Sequence, residues 1–175
     1  MVPLAALAAL ATDVVVSAAF AAEPADFQGR FVASDDAVQA AVKQAVDKGA
    51  MQFSALIRPI ARRRLATTIQ GSTWVAFAGT AKALTITSSQ RPGGVTTGLD
   101  REPVEIVADG KAATVRRWME GGVLHSEACN GEGGCLVSTF ALTGDALTVT
   151  QETRAPQLSE PIVLTVHYTG AVGRQ

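Results

Sequence analysis

The second half of the chain alternates between apolar and polar residues in short stretches, and a turn-forming sequence separates each stretch from the next. The stretches are 104–108, 112–119, 123–128, 135–142, 146–152 and 162–169. Gly, Asn and Asp in the gaps, as at 109–110 and 121–122, tolerate the positive φ that tight hairpins need. The pattern predicts antiparallel strands that follow one another as an up-and-down meander.

A different period, typical of helices, occupies 34–64. Ser34 offers an N-cap oxygen and Gly49 is placed to end the helix, and between them apolar residues recur on one face: Val38, Val42, Ala45 and Val46. A second helix is predicted from about Met51, with Phe53, Leu56, Ile57 and Ile60 spaced for one apolar side. Pro59 removes an amide donor there, so it kinks or divides this helix.

The remaining stretches complete a mainly β protein. A first strand is predicted over 27–33, and two more over 73–78 and 82–88. The Pro-, Gly- and Thr-rich stretch 90–102 is either a long loop or a loop that encloses a short strand at 95–99. The total is about ten strands, which favours an antiparallel up-and-down β-barrel with a two-helix insertion after the first strand. An open two-sheet sandwich is the alternative.

Composition adds the size and charge of this domain. The chain has 175 residues, of which 47% are hydrophobic and 5% aromatic, as expected for one globular domain over 22–175. With 15 basic and 16 acidic residues, the net charge of −1 provides no overall field that would attract nucleic acid.

The N-terminal stretch 1–21 resembles a signal peptide. An apolar run at 4–10 precedes Ala19-Phe20-Ala21, which fits the small-x-small rule for cleavage. No Lys or Arg precedes the run and Asp13 interrupts the apolar stretch, so a soluble helix and a retained anchor remain alternatives. We expect a periplasmic or secreted protein.

One strand, two helices and then about nine meandering strands over 27–168 resemble the fatty-acid-binding-protein arm of the calycin superfamily, which includes the lipocalins. The resemblance implies a barrel with a helical lid at about 35–64 and a small lipophilic ligand inside. That family's Arg-x-Tyr pattern on the last strand is absent, because 164–168 has the sequence Leu-Thr-Val-His-Tyr. The resemblance therefore implies a fold and a ligand class but no binding residues.

The two cysteines flank a short Gly-rich gap. Cys129 and Cys135 come within disulfide reach if the strands pair across 130–134, and an exported protein favours the bridge. Their spacing is poor for zinc and is not that of a catalytic Cys-x-x-Cys pair. We expect no metal and no cofactor.

Ligand-binding candidates lie on two strands. Alternation sends Arg116 and Trp118 to one face and Arg117 to the other, and whichever arginine lies inside could grip a carboxylate. Internal salt bridging or exposure is the competing interpretation. Trp74 and Phe77 are candidates for lining a cavity, although aromatic residues on strands also serve as plain core.

Four arginines crowd the second helix: Arg58, Arg62, Arg63 and Arg64. They form a basic lid patch that either guides anionic ligands and contacts anionic lipid, or pairs with carboxylates and covers apolar surface.

The only two histidines are His125 and His167. His125 is expected to be partly buried and hydrogen-bonded, and His167 faces solvent if the apolar set on its strand lies inside. Haem ligation by either histidine is a lesser alternative.

No catalytic motif appears: there is no Gly-x-Ser-x-Gly elbow, no phosphate-binding loop and no His-Glu-x-x-His. We therefore expect a non-enzymatic carrier or sequestering protein that binds a lipophilic ligand, with fatty-acid-like anions included. The second alternative is a structural or interaction domain whose barrel is filled by its own side chains, and an enzyme is the third.

Overall fold

The computed structural model describes residues 21–108 and 110–172. In this part of the chain, two helices and ten strands follow a short 3-10 turn (Pro24–Phe27). The helices are α1 (Asp35–Ala50) and α2 (Arg58–Thr68). The strands are β1 (Gly29–Val32), β2 (Trp74–Gly79), β3 (Ala83–Ser88), β4 (Arg91–Gly98), β5 (Val104–Ala108), β6 (Lys111–Glu120), β7 (Val123–Asn130), β8 (Cys135–Thr143), β9 (Ala146–Arg154) and β10 (Ile162–Val172). Apart from its last residue, the predicted signal peptide lies outside the described residues.

The strands form one antiparallel sheet in the order β4-β3-β2-β1-β10-β9-β8-β7-β6-β5. Strand β1 joins the first and last parts of the chain, because it pairs with both β2 and β10. The chain beyond β4 then meets β6: Asp100 bridges to Trp118, and the Arg101 amide donates to the Arg117 carbonyl at 3.1 Å. The sheet is thus nearly closed, which confirms the predicted up-and-down barrel with a two-helix insertion rather than an open sandwich.

Strand β4 is longer than the sequence predicted. It covers eight residues, Arg91–Gly98, where we expected a loop with at most a short strand. Pro92 is tolerated because β4 is an edge strand that pairs only with β3, so the missing N–H costs no sheet hydrogen bond.

Helix α1 agrees with its prediction except at its end. The Ser34 side chain accepts from the Ala37 amide at 3.3 Å, and Val38, Ala45 and Val46 are buried. Gly49 does not end the helix. It is buried inside α1, where an added Cβ would lie 2.6 Å from Cδ1 of Ile162, so the glycine lets α1 approach β10 closely.

The second helix begins later than predicted. Residues 51–57 form turns, and α2 begins at Arg58 with Pro59 in its first turn, where a missing amide donor costs nothing. The predicted apolar side over Met51 to Ile60 is therefore wrong. Leu56, Ile57 and Ile60 are 91%, 53% and 59% exposed.

The end of the barrel far from the helices is filled. Phe77 contacts Phe27, Phe31 and Phe140, with ring centroids 5.6, 5.9 and 5.3 Å apart. Three leucines that begin strands at this end are completely buried: Leu84, Leu124 and Leu147. We call these seven residues the apolar plug. The free space in the barrel lies at the other end, toward the helices.

Candidate functional site

A row of polar side chains crosses the inner wall of the barrel. Arg117 pairs with Ser126, Ser126 with Ser138, and Ser138 with Gln151, on the neighbouring strands β6, β7, β8 and β9. Side chains that pair directly across antiparallel strands lie on the same face of the sheet. We call these four residues the polar row.

Apolar side chains on the same inward face border the polar row on the side toward the plug. Two residues along each strand, the next row is Met119, Leu124, Phe140 and Val149. On the other side, toward the helices, the row is Val115, Ala128, Leu136 and Thr153. The inner wall of this half of the barrel is therefore apolar, polar and largely apolar again from the plug outward.

A cavity of about 400 Å³ lies against this wall. All four members of the polar row line it. Ile69, Gln70 and Ser72, in the segment that follows α2, also line it. The Tyr168 hydroxyl, which also lines the cavity, donates to the Ser72 carbonyl at 2.8 Å and ties β10 to this segment. Burial raises the pKa of Tyr168 to about 12, so the hydroxyl stays protonated at ordinary pH.

Arg117 is a buried cation held by backbone. Only 4% of the residue is exposed, and Nη1 donates to the Leu84 and Val95 carbonyls, each at 2.8 Å. Nε lies 3.4 Å from Oγ of Ser126. No carboxylate pairs with this guanidinium among the described residues. Burial, together with the nearby charge of Arg91, lowers the pKa of Arg117 to about 10.

Among the described residues, the charged side chains that line the cavity are all cationic. Its lining includes two arginines, Arg91 and Arg117, and no Asp or Glu among the residues that the structure describes. A buried charge is stable only when it is paired or well hydrogen-bonded. An anionic group in the cavity would supply the charge that the protein itself does not.

Two members of the polar row have no hydrogen-bond partner within the described chain. Ser138 is only 6% exposed, and neither its hydroxyl nor the Gln151 amide bonds to another described residue. Because both side chains line the cavity, their polar atoms face whatever occupies it.

The structure separates the five predicted ligand-binding residues. Arg117 lines the cavity, whereas Arg116 lies outside and pairs with Glu127 at 2.7 Å. Trp118 is also outside, where its ring stacks on His125 with centroids 5.1 Å apart. The Trp74 ring lies 4.3 Å from the Arg30 guanidinium, on the opposite face of β2 from Phe77, which belongs to the plug. Because inward and outward side chains alternate along a strand, Arg116, Trp118 and Trp74 point away from the cavity. Phe77 points inward but is packed in the apolar plug.

The histidines and cysteines occupy the outer face. His167 is exposed and lies 3.1 Å from Oγ1 of Thr148, as the burial of Ile162, Leu164, Val166 and Tyr168 requires. His125 is half-buried and its contact is the stack on Trp118 rather than the expected hydrogen bond. Cys129 and Cys135 form a disulfide across the β7–β8 hairpin, as the sequence predicted.

Two of the four arginines in the basic lid patch contact neighbouring residues, and the other two lie exposed on the surface. Arg58 donates to the Phe53 carbonyl at 3.4 Å, and Arg62 pairs with Asp47 at 2.9 Å. The Lys43 hydrogen bond, with Arg62 nearby, lowers the pKa of Asp47. Arg63 and Arg64 are exposed and have no ion pair within the described residues. They share a face of α2 with Ile60, three and four residues earlier.

Neither helix in the described part of the chain combines the length and apolar character needed to cross a membrane.

Sequence reasoning missed Ser126, Ser138 and Gln151. Ser126 could have been predicted from the sequence, because a two-residue turn at 121–122 pairs it with Arg117. Ser138 and Gln151 require the register of two further hairpins and the knowledge that Arg117, not Arg116, faces inward.

Solved structures with the same architecture support the fold. The chain is similar to a secretory abundant heat soluble protein from Ramazzottius varieornatus, with a TM-score of 0.54 at 12% identity over 85% of this chain and 96% of that one. It is also similar to lipid binding protein 8 from Caenorhabditis elegans, with a TM-score of 0.53 at 14% identity over 85% and 98%. A fatty acid binding protein from Schistosoma mansoni, in complex with arachidonic acid, gives 0.51 at 17% over 85% and 98%.

No protein-family model and no curated protein matches the sequence. The likeness is therefore one of three-dimensional structure, at identities that establish the fold alone. On that ground, the resemblance that the order of elements suggested is confirmed: the chain has the calycin-like β-barrel fold of the fatty-acid-binding proteins.

Proposed function

We propose that this protein is a carrier or sequestering protein for a small lipophilic anion, which it binds inside the barrel. One observation carries the proposal: Arg117, 96% buried, faces a cavity of about 400 Å³ and has no acidic partner among the described residues. Nη2 has no acceptor among the described residues and can donate to a carboxylate, and release of the 3.4 Å contact between Nε and Ser126 would allow a second, parallel hydrogen bond.

The remaining wall suits the rest of such a ligand. The rows on either side of the polar row are largely apolar, and they offer contact to hydrocarbon. The volume falls at the small end of the range that ligand pockets occupy, roughly 300–1,000 Å³. Structures of the same fold include proteins whose names state fatty acid or lipid binding, which supports the same class of ligand.

The proposal is tested by closing the cavity. Ala128 lines the cavity, so Ala128→Phe should fill it and abolish displacement of a fluorescent fatty acid probe by an unlabelled fatty acid. Ala141 lies on the outer face of β8, next to inward-facing Phe140, so Ala141→Phe adds the same side chain without entering the cavity.

Native mass spectrometry of the purified protein would identify any bound compound. Equal binding by the wild type and both variants would place the ligand outside the barrel and contradict the proposal. If the wild type binds no apolar anion at all, the domain is better described by the alternative of an interaction module.

We also propose that the surface around α2 contacts anionic membrane lipid. Leu56, Ile57 and Ile60 are exposed apolar residues, and Arg63 and Arg64 next to them have no ion pair among the described residues. Exposed apolar side chains rimmed by free cations are complementary to an anionic lipid surface.

Sedimentation with vesicles tests this contact. Binding to phosphatidylglycerol vesicles should exceed binding to phosphatidylcholine vesicles and should fall in an Arg63→Gln/Arg64→Gln variant and in a Leu56→Ser/Ile60→Ser variant. Arg154→Gln, on the barrel, is the matched control because Arg154 is exposed and pairs with Glu152. Vesicle binding that none of these changes alters would refute the proposal.

Finally, we propose that the protein is exported. The pattern over 1–21 and the Cys129–Cys135 disulfide both support an oxidising compartment. The mass of the protein recovered from that compartment should correspond to a chain that begins near Ala22, and recovery with residues 1–21 still attached would contradict it.

A further inference from the structure

The polar row extends well beyond the arginine that holds the ligand's charge. It crosses four strands, from Arg117 on β6 to Gln151 on β9. Neighbouring strands lie about 4.8 Å apart, so Ser138 is about 10 Å from Arg117 around the wall and Gln151 about 14 Å. A ligand anchored at Arg117 and lying along this row would therefore pass over both side chains.

The polar atoms of Ser138 and Gln151 are accessible from the cavity, and no described residue provides them with a hydrogen-bond partner. Ser138 is 94% buried, and neither it nor Gln151 bonds to another side chain or carbonyl in the described residues. Burying a polar group without a hydrogen-bond partner is unfavourable. A plain alkyl chain over the row would remove cavity water from both groups and replace none of its hydrogen bonds.

We propose that the ligand is an oxygenated amphiphile. Its anionic head binds Arg117, and hydroxyl, carbonyl or amide groups along its chain bond to Ser138 and Gln151. This inference rests on the proposed function, whose ligand class it narrows. A serine hydroxyl and a glutamine amide both donate and accept, so they match neutral oxygen and amide groups equally well.

The rows on either side of the polar row explain why the ligand is not uniformly polar. Phe140 and Val149 lie on the plug side, and Val115 and Leu136 on the helix side. A molecule with oxygen atoms on one edge and hydrocarbon elsewhere satisfies all three rows at once.

The test compares matched ligands. A saturated fatty acid and its mid-chain hydroxylated isomers are titrated against the wild type by calorimetry or probe displacement. We expect the best hydroxylated isomer to bind about tenfold more tightly, because one buried hydrogen bond that would otherwise be lost is worth about 1.4 kcal/mol or more.

The preference should depend on the polar row alone. Ser138→Ala and Gln151→Leu should weaken binding of the hydroxylated acid more than binding of the plain acid, and so reduce the preference severalfold. Thr139→Ala and Thr150→Ala change the outward neighbours on the same two strands and should leave the preference as it is in the wild type.

Each outcome separates this inference from the function on which it rests. If the wild type binds both acids equally, the polar row is only a hydrated surface, and the inference is overturned while the carrier function stands. If neither acid binds, the carrier function itself fails. A preference that survives in both polar-row variants also overturns the inference.

Discussion

Replacing Arg117 with methionine should weaken the binding of an anionic ligand more than it weakens the fold. Burial lowers the pKa of the guanidinium from 12.5 to about 10, so the charged form is disfavoured in the empty protein by roughly 3 kcal/mol. The variant loses two hydrogen bonds from the charged guanidinium, to the Leu84 and Val95 carbonyls, each worth about 1.5–3 kcal/mol. The two effects oppose each other, and we expect the free energy of unfolding without ligand to stay the same or to fall by no more than about 3 kcal/mol.

Binding should respond very differently. Removing one partner of a buried, hydrogen-bonded charge pair costs about 2–5 kcal/mol, so the affinity for a fatty acid should fall roughly thirtyfold or more. The methyl ester of the same acid has no charge to lose, and its affinity should change little. The four combinations of arginine or methionine with acid or ester form a cycle that isolates the ion pair from the apolar contacts.

Arg116→Met is the matched control, since this arginine is adjacent in sequence but lies outside, paired with Glu127. Calorimetric titration gives the affinities, and chemical denaturation gives the stabilities. The reasoning is refuted if the acid and the ester lose affinity equally in Arg117→Met, or if Arg116→Met weakens acid binding by the same factor.

Three further predictions concern pH, the disulfide and the contact between helix and barrel. Anion binding requires the protonated guanidinium, so wild-type affinity should fall as pH rises through about 10 while that of Arg117→Met stays flat, as fluorescence titration from pH 7 to 11 would show. Replacing both Cys129 and Cys135 with alanine should lower the free energy of unfolding by about 2 kcal/mol, measured in urea, because the loop between them is short, and reducing agent should have no effect on that variant. Gly49→Ala should lower stability by about 1–3 kcal/mol because the new methyl group meets Ile162, whereas Gly131→Ala, with nothing within 4 Å, should not, and equal denaturation midpoints would contradict this packing argument.

The strands of the barrel were predictable because alternation is a local property. The stretch 123–128 became β7 (Val123–Asn130), and the turn residues between stretches marked the hairpins. Alternation also showed that Arg116 and Arg117 lie on opposite faces, but it does not show which face points into the barrel. Tertiary packing decides this, because Leu124 and Phe140, which share a face with Met119 and Arg117, are buried.

The errors have a common cause in context that the local pattern does not include. Pro92 and its neighbouring glycines indicate a loop unless the strand is known to be at an edge, where an absent amide is harmless. Apolar residues before α2 were assigned to a buried side, but Pro59 starts the helix there and leaves Leu56 on the surface. Gly49 was interpreted by its effect on the helix, whereas its neighbour Ile162 lies more than a hundred residues away.

The position of the apolar plug affects how easily the ligand of this barrel could change during evolution. Phe27, Phe31 and Phe77 are buried at one end and do not line the cavity, so part of the packing that holds the strands together lies apart from it. Substitutions at Ser126, Ser138 or Gln151 alter a surface that is already polar and open to the cavity, so they should affect ligand choice more than folding. A lineage could thus acquire new ligands through these positions while the same plug preserves the fold.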